Sequence, residues 1–474
     1  MSQLMEALQT ENTTTKNGMI TNSSSLNECV NLFFSIGAMR AKGADKVVSL
    51  FSKAFSEEPT TALRTLFWAR DVRGGAGERE VFRNILSYLA TDYPDVVKVN
   101  LNLIPEYGRW DDLNVLFGTQ LENDAISLIV KGLKENNGLC AKWMPRKGVV
   151  FNKVRKALKL DPKTLRKSIV SLSNTVEQKM CSKEWAKIEY PKIPSLAMSR
   201  YSKAFGRNDR ERFSSFIESL KKGEVKVNAG ALYPYDVTKN LNLGNRDLAN
   251  EQWKALPNYM EGSTELILPL VDVSGSMGCP VGGNSNLTCM DVAISLGLYI
   301  SERNEGAFKD MFMTFSSTPQ VQKLMGSLSD RYRQLSRADW GMSTSLESVF
   351  KTILNQAVRF NIPQEEMPSK VLILSDMQFD SAIRDGAKVT ALKMIEGMYA
   401  EAGYTVPGVI FWNLHASGGN FPARFDERGT ALISGFSPSI LKSVLSNPDS
   451  LTPVNIMNET VHSERYEPVI VWVS

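Results

Sequence analysis

Residues Leu266 to Ser276 read L-I-L-P-L-V-D-V-S-G-S, and the fold turns on this stretch. An apolar run of strand length ends on a carboxylate, Asp272, and two hydroxyls follow at two-residue steps, Ser274 and Ser276. A buried strand that delivers one carboxylate and two hydroxyls to a single loop offers hard oxygen ligands, suited to Mg²⁺ or another hard divalent cation. Two later stretches fit the same site. Lys370 to Phe379 (K-V-L-I-L-S-D-M-Q-F) is a second apolar strand ending on a carboxylate, Asp376. Gly341 to Leu346 (G-M-S-T-S-L) sets Thr344 just ahead of an amphipathic segment. In an open parallel α/β sheet, ligands gather at the carboxyl ends of strands, near the point where strand order reverses. The same residue types also cap helices and shape turns. The three parts together, rather than D-x-S-x-S alone, select the metal reading.

Asp272, Ser274, Ser276, Thr344 and Asp376 resemble the metal-ion-dependent adhesion site of a von Willebrand factor A domain, over roughly residues 262–474. The resemblance implies a Rossmann-like α/β domain whose Mg²⁺ keeps an open position for an acidic side chain of a protein partner. One position departs: the family often carries Asp directly after the threonine, where this chain has Ser345. Pro269 inside the first strand is a blemish, because central strands rarely tolerate proline. Beyond Ser276 the pattern predicts a strand pair over 309–315 and 320–324, and strands over 406–412 and 430–433. Helices are predicted over 288–302, 345–354, 387–400 and 437–445. Such alternation means a sheet with helices on both faces.

Upstream, residues 1–25 are rich in Thr, Asn and Ser and read as a flexible N-terminus. From residue 26 to 222 apolar residues recur at helical spacing, as in Val47, Val48, Leu50, Phe51, Ala54 and Phe55, then Leu63, Leu66, Phe67 and Ala69. Breaks fall at Glu58-Pro59-Thr60 and Arg73-Gly74-Gly75-Ala76-Gly77. Helix pairs joined by short loops predict an α-helical domain of HEAT-like repeats. Residues 223–261, turn-rich and then polar, read as the connection between the two domains.

Residues 131–170 hold twelve Lys or Arg against two acids, Glu135 and Asp161, with Trp143 and Phe151 mixed in. In a second basic cluster Arg200, Lys203 and Arg207 recur at three- and four-residue steps, on one helix face, with Tyr201 and Phe205 turned elsewhere. Cations on one face suit phosphates, and neighbouring aromatics suit stacking on unpaired bases. The plainer alternative is a solvated helix face over core aromatics. These stretches carry a second resemblance, on R-G-G-A-G-E-R, L-I-P-E-Y-G-R-W-D-D-L, A-K-W-M-P-R-K-G and M-C-S-K-E-W-A-K-I-E-Y-P-K-I-P-S. They are similar to an uncharacterised bacterial and phage family in which an α-helical repeat module precedes an A domain. The resemblance extends, more distantly, to the TROVE module of the Ro autoantigen, telomerase-associated and vault proteins. It implies repeats that close into a ring sealed by the A domain, with RNA ends entering the hole and structured RNA on the basic outer face. On that resemblance Lys142, Arg146, Lys147, Lys153, Arg155, Lys156, Arg200, Lys203 and Arg207 are the candidate RNA contacts.

A net charge of only +4 over 474 residues means that nucleic-acid binding has to come from such local patches. Five scattered cysteines, an odd number with no C-x-x-C spacing, suit a reduced intracellular compartment. Cys279 and Cys289 flank a glycine-rich insert and could pair under oxidation; the expectation is that they stay reduced. The opening residues have no basic region followed by an apolar run, and no stretch approaches 18 apolar residues, so a cytoplasmic, non-membrane monomer is expected. Only two histidines occur, His415 and His462, neither in a nucleophile motif, and no P-loop or dinucleotide fingerprint is present. The expectation is therefore a protein that is not an enzyme. Two readings stand. One is a Ro-like RNA-binding protein of ribonucleoprotein type, whose helical repeats take single-stranded ends or structured RNA and whose A domain holds a Mg²⁺-dependent partner site. The alternative is a metal-dependent protein–protein interaction scaffold without RNA binding.

Overall fold

Two short strands, β1 (Asn12–Thr14) and β2 (Ile20–Asn22), pair antiparallel near the N-terminus. Six more form one sheet: β3 (Ile267–Val271), β4 (Met311–Thr314), β5 (Val321–Lys323), β6 (Lys370–Ser375), β7 (Gly408–Asn413) and β8 (Thr430–Ser434). Their order is β5-β4-β3-β6-β7-β8, parallel throughout except for the antiparallel β4–β5 edge. Strands β3, β6 and β8 are buried at every residue, which is why they read as continuous apolar runs rather than as alternating ones. From β3 the chain goes to β4 on one side, and later to β6, β7 and β8 on the other. Strand order thus reverses between β3 and β6, at the two strands that end on Asp272 and Asp376. The computed structural model describes residues 12–242, 246–282, 286–315, 319–338, 344–380, 391–416, 419–446 and 451–472. Among them no helix is long and apolar enough to cross a membrane.

Pro269 fits its strand for a specific reason. Asp272 N–H donates to Leu374 O on β6 (3.0 Å), so alternation aims the nitrogen of Pro269 at the β4 side. The β3–β4 ladder begins only at Leu270↔Met313, one residue later. Proline therefore stands where no ladder hydrogen bond was due. The carbonyl of Ile267 is satisfied by a side chain instead, Asn304 Nδ2 at 2.6 Å.

The chain divides into two units, and neither is a continuous segment. The sheet unit takes the described part of Met1–Thr65, together with Tyr233–Thr238 and Asn258–Ser463. The helix Glu28–Ile36 belongs to it, packed against β8 with Cys29, Val30, Leu32, Phe33, Phe34 and Ile36 all buried. Ser434 Oγ donates to Phe33 O (2.7 Å) and Asn413 Nδ2 to Phe34 O (3.2 Å). At the end of this helix Gly37 meets β8 so closely that a Cβ there would lie 2.8 Å from Gly435 Cα. Residues 26–65, expected within the helical repeat domain, thus lie in the sheet unit. The N-terminus expected to be flexible forms a hairpin from residue 12 onward, with Thr21 Oγ1 and Asn22 Nδ2 both donating to Phe421 O. Helical periodicity identifies a helix but not the surface that it covers.

The helical unit takes Leu66–Leu232, Lys239–Pro257 and the described part of Glu464–Ser474. One core gathers Ile188, Tyr190, Ile193, Met198, Phe205, Phe216, Leu220 and Leu248. Elsewhere in the unit, two of the quoted motifs meet, bound by arginines that flank a third. Arg70 and Arg83 both bind the buried carboxylate of Asp112 (2.8 and 2.7 Å), Arg83 and Arg109 bind Asp111, and Arg109 stacks 3.7 Å over Trp143. Gly108 is required beside this network, since a Cβ there would stand 2.5 Å from Asp112 Oδ2. The last described residues, expected in the α/β domain, belong here: Tyr466 donates to Asp71 (2.9 Å), Arg465 Nη2 binds Asp71 (2.8 Å), and Asn100 pairs with the backbone of Ile470. The expected connection over 223–261 holds two helices: Pro234–Asn242, divided between the units after Thr238, and Arg246–Lys254, within the helical unit.

Candidate functional site

Four of the five expected metal-site residues come together where strand order reverses. The register sets Val271 beside Leu374, so Asp272 faces Ser375 at the ends of β3 and β6. Ser375 Oγ donates to Asp272 Oδ2 (2.6 Å) and Ser274 N–H to Asp272 Oδ1 (2.9 Å). Ser274 and Ser276 are joined through their hydroxyls (3.0 Å), and Ser276 hydrogen-bonds Asp376 in turn. Asp376 also accepts from Gln378 N–H (3.3 Å). The carboxylates lie buried, with Ser274 half-buried and Ser276 exposed above them.

Burial pushes the Asp272 carboxyl up to about 6, against the hydrogen bond from Ser375, and the nearby charge of Asp376 adds to the rise. Asp376 is pushed up as well, chiefly by burial. Neither pairs with a lysine or arginine side chain in an ion pair among the described residues. Two buried carboxyls with neighbouring hydroxyls and no lysine or arginine ion pair among the described residues form a donor set that a hard divalent cation would neutralise. The residues fit such an ion: Asp272, Asp376, Ser274 and Ser276 would hold it, and it would supply a Lewis-acidic position open to an external oxygen donor.

Thr344 is tied to the loop after β6. Its hydroxyl donates to Gln378 O (3.1 Å) and lies 3.2 Å from Asp380 Oδ1, and its N–H donates to Asp380 Oδ2 (2.6 Å). Gly341–Ser343, quoted with it from the sequence, lie outside the described residues. The hairpin loop between β1 and β2 reaches the same place: Asn17 Nδ2 donates to Gln378 O (2.8 Å) and Lys16 N–H to Gln378 Oε1 (3.0 Å). Ser375, Gln378, Asp380 and Asn17 were not singled out from sequence. Ser375 and Asp380 carried a signal, since S-D-M-Q-F-D places both within four residues of Asp376. Asn17 carried none, because only tertiary packing brings it there.

The expected RNA contacts fall into two groups. Lys142, Lys147, Lys156, Arg200, Lys203 and Arg207 are exposed, the last three along the helix Ser195–Asn208. Lys153 is paired with Glu122 (2.5 Å), Arg155 Nη1 donates to Leu160 O (3.0 Å), and Arg146 Nη1 reaches Ala141 O and Met144 O, both at 3.1 Å. These three hold their own loops and helices together. The neighbouring aromatics correct the stacking expectation. Phe151 and Phe205 are buried, Tyr201 packs against the core and bonds Glu177 (3.1 Å), and Trp143 lies under Arg109. Each ring is held by its own fold, so what this surface offers is charge.

Residues 267–468 match the family described as a domain of unknown function, DUF7788. Residues 15–116 and 146–266 match a second described in the same words, DUF2828. The chain is also similar to "Uncharacterized protein L728" of Acanthamoeba polyphaga mimivirus, 27% identical over 518 residues that cover 96% of this chain and 88% of the relative. The two family matches meet at 266/267, immediately before β3. The described part of Met1–Thr65 falls mostly in the DUF2828 match yet folds with the sheet.

Proposed function

We propose that this chain is a binding protein whose sheet unit is a von Willebrand factor A-like module. In this reading Asp272, Ser274, Ser276 and Asp376 hold a hard divalent cation such as Mg²⁺, with Thr344 from the adjoining loop. The open position of the ion takes a carboxylate from a protein partner. The observation that carries the reading is the pair of buried carboxyls, without a lysine or arginine ion pair among the described residues, at the switch between β3 and β6. A site of oxygen donors that keeps an exchangeable position binds acidic side chains without any chemical step. Calorimetric titration with Mg²⁺ or Mn²⁺ tests it: the wild type binds one ion, and Asp272→Asn or Asp376→Asn loses it. Failure of the wild type to bind either ion would overturn the reading. If the ion binds, partner capture that survives EDTA and Asp272→Asn would separate capture from the site.

A second reading belongs to the helical unit, and the exposed set Lys142, Lys147, Lys156, Arg200, Lys203 and Arg207 favours it. We propose that this surface contacts RNA through phosphates, in the manner of a TROVE-like repeat module. Backbone contacts predict affinity that falls steeply between about 50 and 200 mM salt. Binding of a fluorescent single-stranded RNA at those two salts tests it, beside an Arg200→Glu/Lys203→Glu/Arg207→Glu variant. Loss of affinity in the variant supports RNA binding. Salt-insensitive binding, or none, leaves the scaffold reading.

A further inference from the structure

Cys279 and Cys289 stand opposite each other across a short antiparallel ladder that closes the loop after Ser276. Val281 N–H donates to Leu287 O (2.7 Å), Pro280 bridges to Thr288, and Cys289 N–H donates to Cys279 O (3.1 Å). Directly opposed residues of such a ladder hold their Cβ atoms about 4.5–5.5 Å apart. The two sulfurs are 3.3 Å apart. Cys279 N–H turns back to Ser276 O (3.2 Å), so the ladder ends at this pair. Cys289 is buried at the start of the helix Cys289–Arg303, whereas Cys279 is half-exposed. His415 lies within hydrogen-bond reach of the Cys279 sulfur, and Lys42 Nζ is 2.9 Å from His415 Nε2.

We propose that Cys279 and Cys289 are a thiol–disulfide exchange pair whose co-reactant is a low-molecular-weight disulfide. The half-exposed Cys279 sulfur attacks one sulfur of the incoming disulfide; that S–S bond breaks and one half leaves as a thiol. The Cys289 sulfur, already adjacent, then attacks the Cys279 sulfur of the mixed disulfide. The Cys279–Cys289 bond forms and the second half leaves. The protons of the two cysteines pass to the two released thiols, so the protein is oxidised by two electrons and the co-reactant reduced by two. Lys42 and His415 stand beside the sulfur that attacks first. A soft divalent ion is the rival occupant, since the ligand atoms of Cys279, Cys289 and His415 lie within 4.8 Å of one another. The ammonium of Lys42 on the imidazole opposes it.

The proposal is read on the sulfurs themselves. The full chain is incubated with oxidised glutathione, alkylated and mapped by mass spectrometry. The expected result is a peptide crosslinked through Cys279 and Cys289, lost again on reduction with dithiothreitol. In Cys289→Ser, glutathione remains trapped on Cys279; in Cys279→Ser, Cys289 stays unmodified. The exposed Cys181 takes glutathione in every sample and reports that the oxidant was active. Free Cys279 and Cys289 beside a modified Cys181 would overturn the proposal. So would a stoichiometric bound zinc that shields both cysteines from alkylation. The wild-type map stands even where a variant fails to fold.

Discussion

Asp272 and Asp112 are both buried carboxylates, and their surroundings give them opposite roles. Asp112 is held between Arg70 and Arg83 and also accepts from Arg109 N–H (2.9 Å). Removing one partner of a buried ion pair strands the other charge, so Asp112→Ala should destabilise the helical unit by about 3–5 kcal/mol in denaturant unfolding. Asp272 has hydroxyl and amide partners and, among the described residues, no lysine or arginine ion pair. Its carboxyl lies above the unfolded value, so its contribution to stability is present below about pH 4 and is lost as pH rises through about 6. Without metal, Asp272→Asn should therefore gain stability relative to wild type between pH 4 and pH 7, by about 2–3 kcal/mol. With metal the sign reverses, because the ion needs the ionised carboxylate. Mg²⁺ affinity by calorimetry should fall about tenfold for each pH unit below about 6.

Two elements carry predictions of their own. The helix Glu28–Ile36 ends at Gly37, pressed against Gly435 at the end of β8. Gly37→Ala drives a methyl into backbone that cannot yield cheaply, and should lower stability by about 1–3 kcal/mol, seen as a lower melting temperature. A variant that melts with the wild type would mean that this contact is looser than the structure has it. The loop between Cys279 and Cys289 closes residues ten apart in sequence. Crosslinking them should raise the stability of the sheet unit by about 2–3 kcal/mol, and dithiothreitol should abolish the gain.

For the whole molecule, the division of the chain predicts what can be expressed alone. A fragment spanning 262–474 contains the sheet but lacks the helix that covers β8 and the hairpin that bonds Phe421 and Gln378. It should be insoluble, or soluble with its apolar surface exposed to dye. Co-expression with residues 1–65 should restore solubility. A fragment that is well folded alone would show that the N-terminal segment is an accessory. The comparison also separates folding from binding, since Mg²⁺ affinity can be measured on the restored complex.

Much of the sheet was legible in the residues. Continuous apolar runs ending on Asp272 and Asp376 identify parallel strands, because a strand covered on both faces shows no alternation. Their shared carboxyl edge, and hence most of the candidate site, follows from that pattern alone. What the pattern does not carry is the identity of each element's neighbour. The buried face of Glu28–Ile36 would suit a helical stack as well as a sheet, and only packing against β8 assigns it. Asn17 reaches the loop after β6 across 361 residues, a contact with no local trace. The aromatics among the basic residues looked available for stacking until Phe151 and Phe205 proved to be core. Local chemistry determined which residues form strands and which carry charge. Burial, a property of the closed fold, decided which of those charges stand free.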